Sequence, residues 1–400
     1  MKRLLIPTST LLLLSLTGCG GSSSDTADNS ATDQTGYFVD AGVKGVSYTG
    51  SAGSSGITGD GGSFSYKTGE KITFKLGGVT LGEVNASKLV SPVDFGSANT
   101  KTNLVRFLIT LDSDGNASNG ITIDSTTQSL ANNWKNVNFD LAPSAFNTNV
   151  SSEINASFAN NLVTTTAADN HLLGSLQCAY SGGYLGTWSG TDSSGAPVSG
   201  TLGIMVNANG SVYTAGKQNN DPTVFYSTGG AQDPLTKKTT INGVVIGATS
   251  TTFESNATFE SVDKITGSYS VVASATLGGS GTLTATRVGS SATAVYRFTG
   301  MSFESTDPTV PSGVFTIDID ASGSVTGGVY DMETNSVSVY LSGTISGNSL
   351  TNIVLKDSAG TQVGSITAGT VDLANGTLSG VQWTQGSFSG TVTGSGCRLN

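Results

Sequence analysis

Three observations make this 400-residue chain a mainly β protein. From Tyr37 to Val84, and again from Tyr180 onward, apolar and polar residues alternate with the period of half-buried strands. Glycine occurs 54 times without a Gly-X-Y period, so it marks turns between strands rather than a collagen-like helix. The C-terminal region also repeats itself: Ser199-Gly200-Thr201-Leu202 matches Ser312-Gly313-Val314-Phe315, and Thr266-Gly267-Ser268-Tyr269 matches Ser379-Gly380-Val381-Gln382, both at an offset of 113. Ser280–Thr284 pairs with Ser389–Thr393 at an offset of 109. Self-similarity at a fixed period is a stronger fold signal than local propensity. The expected architecture is a small β-sandwich module (36–98), a short helical segment (99–177) and two tandem eight-stranded antiparallel barrel-like units (178–291 and 292–400).

The N-terminus has its own pattern. Lys2 and Arg3 are followed by the apolar run Leu11–Leu14 with Leu16, and then by Leu16-Thr17-Gly18-Cys19. A basic start, an apolar core and a small residue before cysteine form an export signal. This order resembles the lipobox of bacterial lipoproteins. The resemblance implies a signal peptide over 1–18, cleavage before Cys19, lipidation of the Cys19 thiol, and a body tethered to the membrane. Gly20 stands where lipoprotein sorting often uses Asp for inner-membrane retention, which favours the outer membrane by the same resemblance. Residues 19–35 read as a flexible tether, since Gly20 to Thr35 contains no large apolar residue.

In the β module, Val43–Tyr48, Ser63–Tyr66, Lys71–Leu76 and Val79–Leu81 are the expected strands, with Gly59-Asp60-Gly61-Gly62 as a hairpin turn. The Gly-x-Phe-x-Tyr pattern after that turn is similar to prealbumin-like or carboxypeptidase-regulatory-like β modules of bacterial surface proteins. That likeness implies a spacer or interaction module. Asn103–Leu111 is apolar enough for a buried helix, Ser151–Leu162 fits a second helix opening on a serine cap, and a third starts near Asp169 or Asn170.

Each half of the C-terminal region holds about eight alternating segments. They suit two up-and-down barrels or one large sandwich built from both halves. An eight-strand barrel is either just filled by side chains or able to hold one small ligand. Tyr184, Trp188, Tyr269, Tyr296, Phe298, Phe315 and Trp383 recur near the start and end of each copy. They are core, or the lining of an apolar cavity. With Cys19 assigned to the anchor, Cys178 and Cys397 remain. In an oxidising compartment they suggest one disulfide stapling the ends of the duplicated region, with two independent buried thiols as the alternative.

Charge and composition exclude several function classes. Removing residues 1–18 leaves 16 basic against 28 acidic residues, a net −12, which disfavours nucleic acid as a partner. The single histidine, His171, argues against nucleophilic triads and most zinc sites and reads as a capping or partly packed residue. Gly210–Lys217 departs from a phosphate loop in spacing, and Gln218 stands where a Ser or Thr is needed. Asp318 and Asp320 share a strand face, where paired carboxylates could hydrolyse glycans; a solvated face is the expected role. Asp112, Asp114, Asn116 and Asn119 alternate hard oxygen donors in a loop, with Asp124 as an extra donor, which suits a structural calcium. The loop departs from the EF-hand pattern and also makes a good turn without an ion.

No cofactor is expected otherwise. These readings favour a non-enzymatic, lipid-anchored envelope protein that holds an apolar molecule or lipid, acting with a membrane-protein partner. A structural or adhesive surface module is the alternative.

Overall fold

The computed structural model describes residues 32–220, 224–246, 251–272, 279–291, 293–331 and 335–399. The lipobox and Cys19 lie outside the described residues. The expected tether already enters a strand at Asp33. Short strands follow in order: β1 (Asp33–Phe38), β2 (Val43–Lys44), β3 (Ser47–Gly50), β4 (Ser55–Ile57), β5 (Ser63–Lys67), β6 (Lys71–Leu76), β7 (Val79–Asn85) and β8 (Leu89–Val90). Seven of them form two small sheets, ordered β5-β1-β8 and β4-β3-β6-β7, while β2 pairs with a later strand at Ile121–Thr122. The single strand expected over Val43–Tyr48 is broken at Gly45, whose φ of 93° turns the chain. A side chain there would also strike the carbonyl of Ile123.

The helices are α1 (Ala98–Thr110), α2 (Ser125–Ala131), α3 (Pro143–Glu153), α4 (Ala156–Asn161) and α5 (Thr165–Tyr180), with β9 (Ile121–Thr122) between α1 and α2. Two sequence-based boundaries are corrected. Ser151–Glu153 ends a helix rather than opening one, because Pro143 starts α3 and Asn155 caps α4 by accepting the Phe158 N–H. The cap of α5 is Thr164, whose side chain accepts the Ala167 N–H. Asp169 lies inside the helix and accepts a hydrogen bond from Thr102 at 2.8 Å. Phe38, Phe64 and Phe74 of the sheets and Leu104, Phe107 and Phe146 of the helices share one buried core.

His171 joins these layers. Its Nε2 is 3.2 Å from a carboxylate oxygen of Asp40, which is fully buried. Burial pulls the His171 pKa down, but the Asp40 carboxylate outweighs it and the net shift is upward. Burial raises Asp40, and His171 opposes that rise.

Two closed eight-stranded antiparallel barrels follow, which excludes the single large sandwich. The first consists of β10 (Gly182–Asp192), β11 (Pro197–Val206), β12 (Val212–Gln218), β13 (Val224–Asp233), β14 (Lys238–Ile246), β15 (Thr252–Ser261), β16 (Lys264–Val272) and β17 (Gly279–Val288). It closes where β10 pairs with β17. The second consists of β18 (Ala294–Glu304), β19 (Asp307–Asp320), β20 (Ser324–Asp331), β21 (Ser336–Thr344), β22 (Ile353–Lys356), β23 (Gln362–Asp372), β24 (Thr377–Gln385) and β25 (Phe388–Arg398). It closes through β18 and β25. The duplicated tetrapeptides fall on the second and seventh strands of each barrel, and the Ser280 and Ser389 segments on the eighth. Cys178 of α5 and Cys397 of β25 are joined, so the bridge encloses both barrels.

The barrels pack side by side. Leu185 and Met205 of the first bury against Val314 and Tyr330 of the second. In the same contact, Thr299 donates to the carbonyl of Val206 at 3.2 Å. Asp318, expected on a solvated face, is 1% exposed. Its two carboxylate oxygens accept from Nε and Nη2 of Arg297 at 2.8 and 2.9 Å, and one also accepts the Ser291 N–H at 2.6 Å. The Arg297–Asp318 register across β18 and β19 turns both side chains away from the lumen and toward the first barrel. Asp320 is half-buried and closes its own turn, accepting from Ser322 and Ser324.

Candidate functional site: the lumen of the first barrel

Helix α5 closes one end of the first barrel. Leu172, Leu176 and Tyr180 share a buried core with Tyr184, Ile204 and Val206 on the barrel wall. Tyr184 anchors this seal. Its hydroxyl lies 2.9 Å from the carbonyls of both Tyr180 and Val262, and it accepts from Nη2 of Arg287 at 2.9 Å. Burial pushes its pKa up, the Arg287 cation opposes that rise, and the phenol is neutral. Tyr184 is therefore part of the floor beneath the cavity.

Above the floor lies a cavity of about 340 Å³. It extends to Thr191, Asp192 and Val198, at the opposite strand ends from α5. Inward-facing positions follow the strand period: Leu202 and Ile204 on β11, Phe253 and Ser255 on β15, Tyr269 and Val271 on β16. The aromatic side chains meet edge to face in a chain. Tyr269 and Trp188 have ring centroids 5.6 Å apart, Trp188 and Phe225 6.0 Å, and Phe225 and Phe253 5.3 Å.

The lumen is open because these rings lie flat on wall glycines. A Cβ on Gly200 would sit 2.6 Å from the Trp188 indole nitrogen, and one on Gly190 would sit 2.6 Å from the Tyr269 hydroxyl. Phe225 covers Gly216 and Phe253 covers Gly243 in the same way. Each missing side chain lets a large ring rest against the backbone instead of projecting across the barrel. The indole N–H of Trp188 and the hydroxyl of Tyr269 are thereby pressed to the wall, without a hydrogen-bond partner among the described residues. Burial raises the Tyr269 pKa, which keeps that hydroxyl neutral.

The rim carries one carboxylate. Asp192 accepts from the hydroxyl of Ser194 at 2.7 Å and from the N–H groups of Ser194 and Ala196 at 2.8 and 2.9 Å. Those bonds, the Ser194 hydroxyl foremost, hold its pKa below the ordinary carboxylate value, so it is ionised. Among the described residues, the cavity lining contains no Lys, Arg or His.

The second barrel holds a smaller cavity of about 160 Å³, lined in part by Phe315 and Trp383. The same device recurs there, with Trp383 over Gly390 and Phe315 over Gly300. More of this lumen is filled by apolar side chains such as Phe298, Ile317, Val339 and Leu350.

The seven aromatic positions singled out from sequence thus separate. Trp188 and Tyr269 line the first cavity, and Phe315 and Trp383 line the second. Tyr184 seals the floor of the first barrel. Phe298 is buried against Gly396 in the core of the second. Tyr296 is half-buried, with the Arg398 guanidinium 6.0 Å from its ring centre. Phe225, Phe253 and Ser255 were not anticipated. The alternation Phe253-x-Ser255-x-Ala257-x-Phe259 was the available signal, since all four are buried in the structure.

The acidic loop is held by its own hydrogen bonds. Asp114 accepts from the Asn116 N–H at 2.8 Å and the Asn119 amide at 2.9 Å, and Asp112 accepts the Thr122 N–H at 2.9 Å. Among the described residues, no three His, Cys, Asp or Glu side chains come together as a metal-binding group.

No family model matches the chain, and no curated protein matches it. Solved structures match parts of it. A redesigned β-barrel is 10% identical with a TM-score of 0.23, covering 28% of this chain and 95% of its own. A protein of unknown function from the DUF3598 family of Nostoc punctiforme is 12% identical with a TM-score of 0.20, covering 56% of this chain and 98% of its own. A double mutant of transferrin binding protein B from Haemophilus parasuis is 11% identical with a TM-score of 0.18, covering 55% and 76%. At these values the likenesses say nothing of ligand or activity.

Proposed function

We propose that this protein is a non-catalytic, lipid-anchored envelope protein that binds an apolar small molecule in the lumen of its first barrel. The observation that carries this reading is the cavity of about 340 Å³, floored by α5 and walled by Trp188, Phe225, Phe253 and Tyr269. Ligand sites are typically concave and mostly apolar, at roughly 300–1,000 Å³. A filled structural barrel has no use for four large rings laid aside on glycines. The Leu16–Cys19 pattern supports anchoring through Cys19, which would hold the lumen near a membrane where apolar molecules partition. A membrane-protein partner then receives or supplies the ligand. The second barrel, with its fuller core, serves as a brace across the long inter-barrel contact.

Native mass spectrometry of the mature chain purified from the periplasm tests the reading. The expected result is a reproducible extra mass that leaves on organic extraction. A clean polypeptide mass, with no uptake of apolar probes afterwards, would refute it and leave the structural or adhesive surface module as the better account.

A further inference from the structure

The reading of the first barrel as a binding site leaves open which apolar molecules it takes, and the charges around the lumen narrow the choice. A fatty acid or other amphipathic anion needs a cation, or several aimed N–H donors, where its head group comes to rest. The described lining offers no cation, and its buried unpartnered donors are one indole N–H and the hydroxyls of Tyr269, Thr251 and Ser255. It contains no Lys, Arg or His. The segments between strands whose placement is not described, 221–223, 247–250 and 273–278, have the sequences DPT, GATS and ASATLG and add none. The donors nearest the rings, Trp188 Nε1 and Tyr269 Oη, lie over Gly200 and Gly190 at the wall. At the rim stands the ionised carboxylate of Asp192, which repels an anion.

A cationic ligand is disfavoured for a different reason. The Asp192 carboxylate stands at the rim, and the lumen below it offers a buried cation no counter-charge among the described residues. No second carboxylate lines the cavity among the described residues. Size adds a further limit. At about 340 Å³ the lumen is near the lower end of ligand pockets, enough for one compact molecule and too small for a two-chain lipid.

We propose that the first barrel selects uncharged, compact, ring-bearing molecules and rejects anionic amphiphiles of the same shape. This rests on the binding function proposed above. Edge-to-face contacts from Trp188, Phe225, Phe253 and Tyr269 suit a flat aromatic or polyene ligand. Thr191 and Gln218 near the rim can hydrogen-bond a neutral polar end without any charge being buried.

The test compares two fluorescent probes of nearly equal shape on the full mature protein: neutral N-phenylnaphthylamine and anionic anilinonaphthalene sulfonate. The neutral probe is expected to bind at least about tenfold more tightly, reflecting the cost of burying an unpaired anion. Equal or tighter binding of the sulfonate overturns the proposal while leaving the barrel a binding site. Failure of both probes to bind counts against the binding function itself.

Two variants locate the effect. Val271→Trp fills the lumen from β16 and is expected to abolish neutral-probe binding with the melting temperature preserved. Retained binding would place the probe elsewhere and overturn the proposal. Gln218→Arg supplies the missing cation and is expected to bring sulfonate affinity up at least about tenfold. No gain would show that missing positive charge does not set the preference, and would equally overturn it.

Discussion

The Arg297–Asp318 pair gives the most demanding energetic prediction. Both side chains are buried, at 3% and 1% exposure, where the two barrels meet. Two hydrogen bonds of 2.8 and 2.9 Å join them, and the Ser291 N–H adds a third to the carboxylate. Replacing Arg297 by Met removes the cation and leaves Asp318 with that single N–H. Breaking a buried pair in this way costs about 3–5 kcal/mol, mostly as the penalty on the stranded charge. Asp318→Leu strands the guanidinium instead and should cost about as much. The double variant Arg297→Met/Asp318→Leu removes both charges from an already apolar contact formed by Leu185, Met205, Val314 and Tyr330. It should lie close to the parent, within about 1–2 kcal/mol in either direction. Urea unfolding followed by tryptophan fluorescence measures all four corners of this cycle. Singles that each cost under about 1 kcal/mol, or a double variant that loses the full sum, would refute the inference that the pair is desolvated and mutually dependent.

Three further outcomes follow from the same structure. Cys178 and Cys397 are 219 residues apart, so Cys178→Ser should lower stability by about 5 kcal/mol in the chain-entropy picture. The readout is a drop in the denaturation midpoint, matched in the parent by adding reductant. Glu70 is 2% exposed and accepts N–H bonds from Ala52, Ser54 and Lys67; although burial raises its pKa, these bonds bring it down to about 2. A carboxylate with a depressed folded pKa adds stability above its unfolded value, and that stability is lost as pH falls toward 2. Glu70→Gln should therefore lower the melting temperature at neutral pH and flatten its decline through that acid window. His171→Asn removes the imidazole beside the buried Asp40 carboxyl and should lower stability by about 1–3 kcal/mol. Asp40→Asn in the same background should recover most of the loss, which thermal melts would show.

Much of the fold was legible in the sequence because its signals are local. Period-two alternation and turn glycines mark strands one at a time. The Ser199/Ser312 and Thr266/Ser379 matches then showed that one set of strands had been copied into another. The two-barrel reading needed nothing further except closure, which depends on β10 meeting β17 and β18 meeting β25. The helix starts were less legible, because caps at Thr164 and Asn155 compete with equally suitable Asp169 and Ser151 nearby. Packing against the module core, rather than capping preference, chose between them.

By itself, then, the sequence determined a mainly β chain with a duplicated eight-strand unit, two cysteines placed to span it, and aromatic residues concentrated on its strands. The tertiary structure alone decided which aromatics enclose space and which fill it. Trp188 leaves the lumen open because Gly200, on the neighbouring strand, offers backbone to rest on, whereas Tyr184, four residues earlier, meets α5 and becomes floor. It likewise decided that Asp318 is a fully buried partner of Arg297 and Asp320 a half-buried turn residue, though both occupy the same strand parity. Each outcome depends on what the strand register and the second barrel bring opposite a side chain, and that information is non-local. A pattern read along one strand says which way a residue points, and only the assembled neighbours say what it meets.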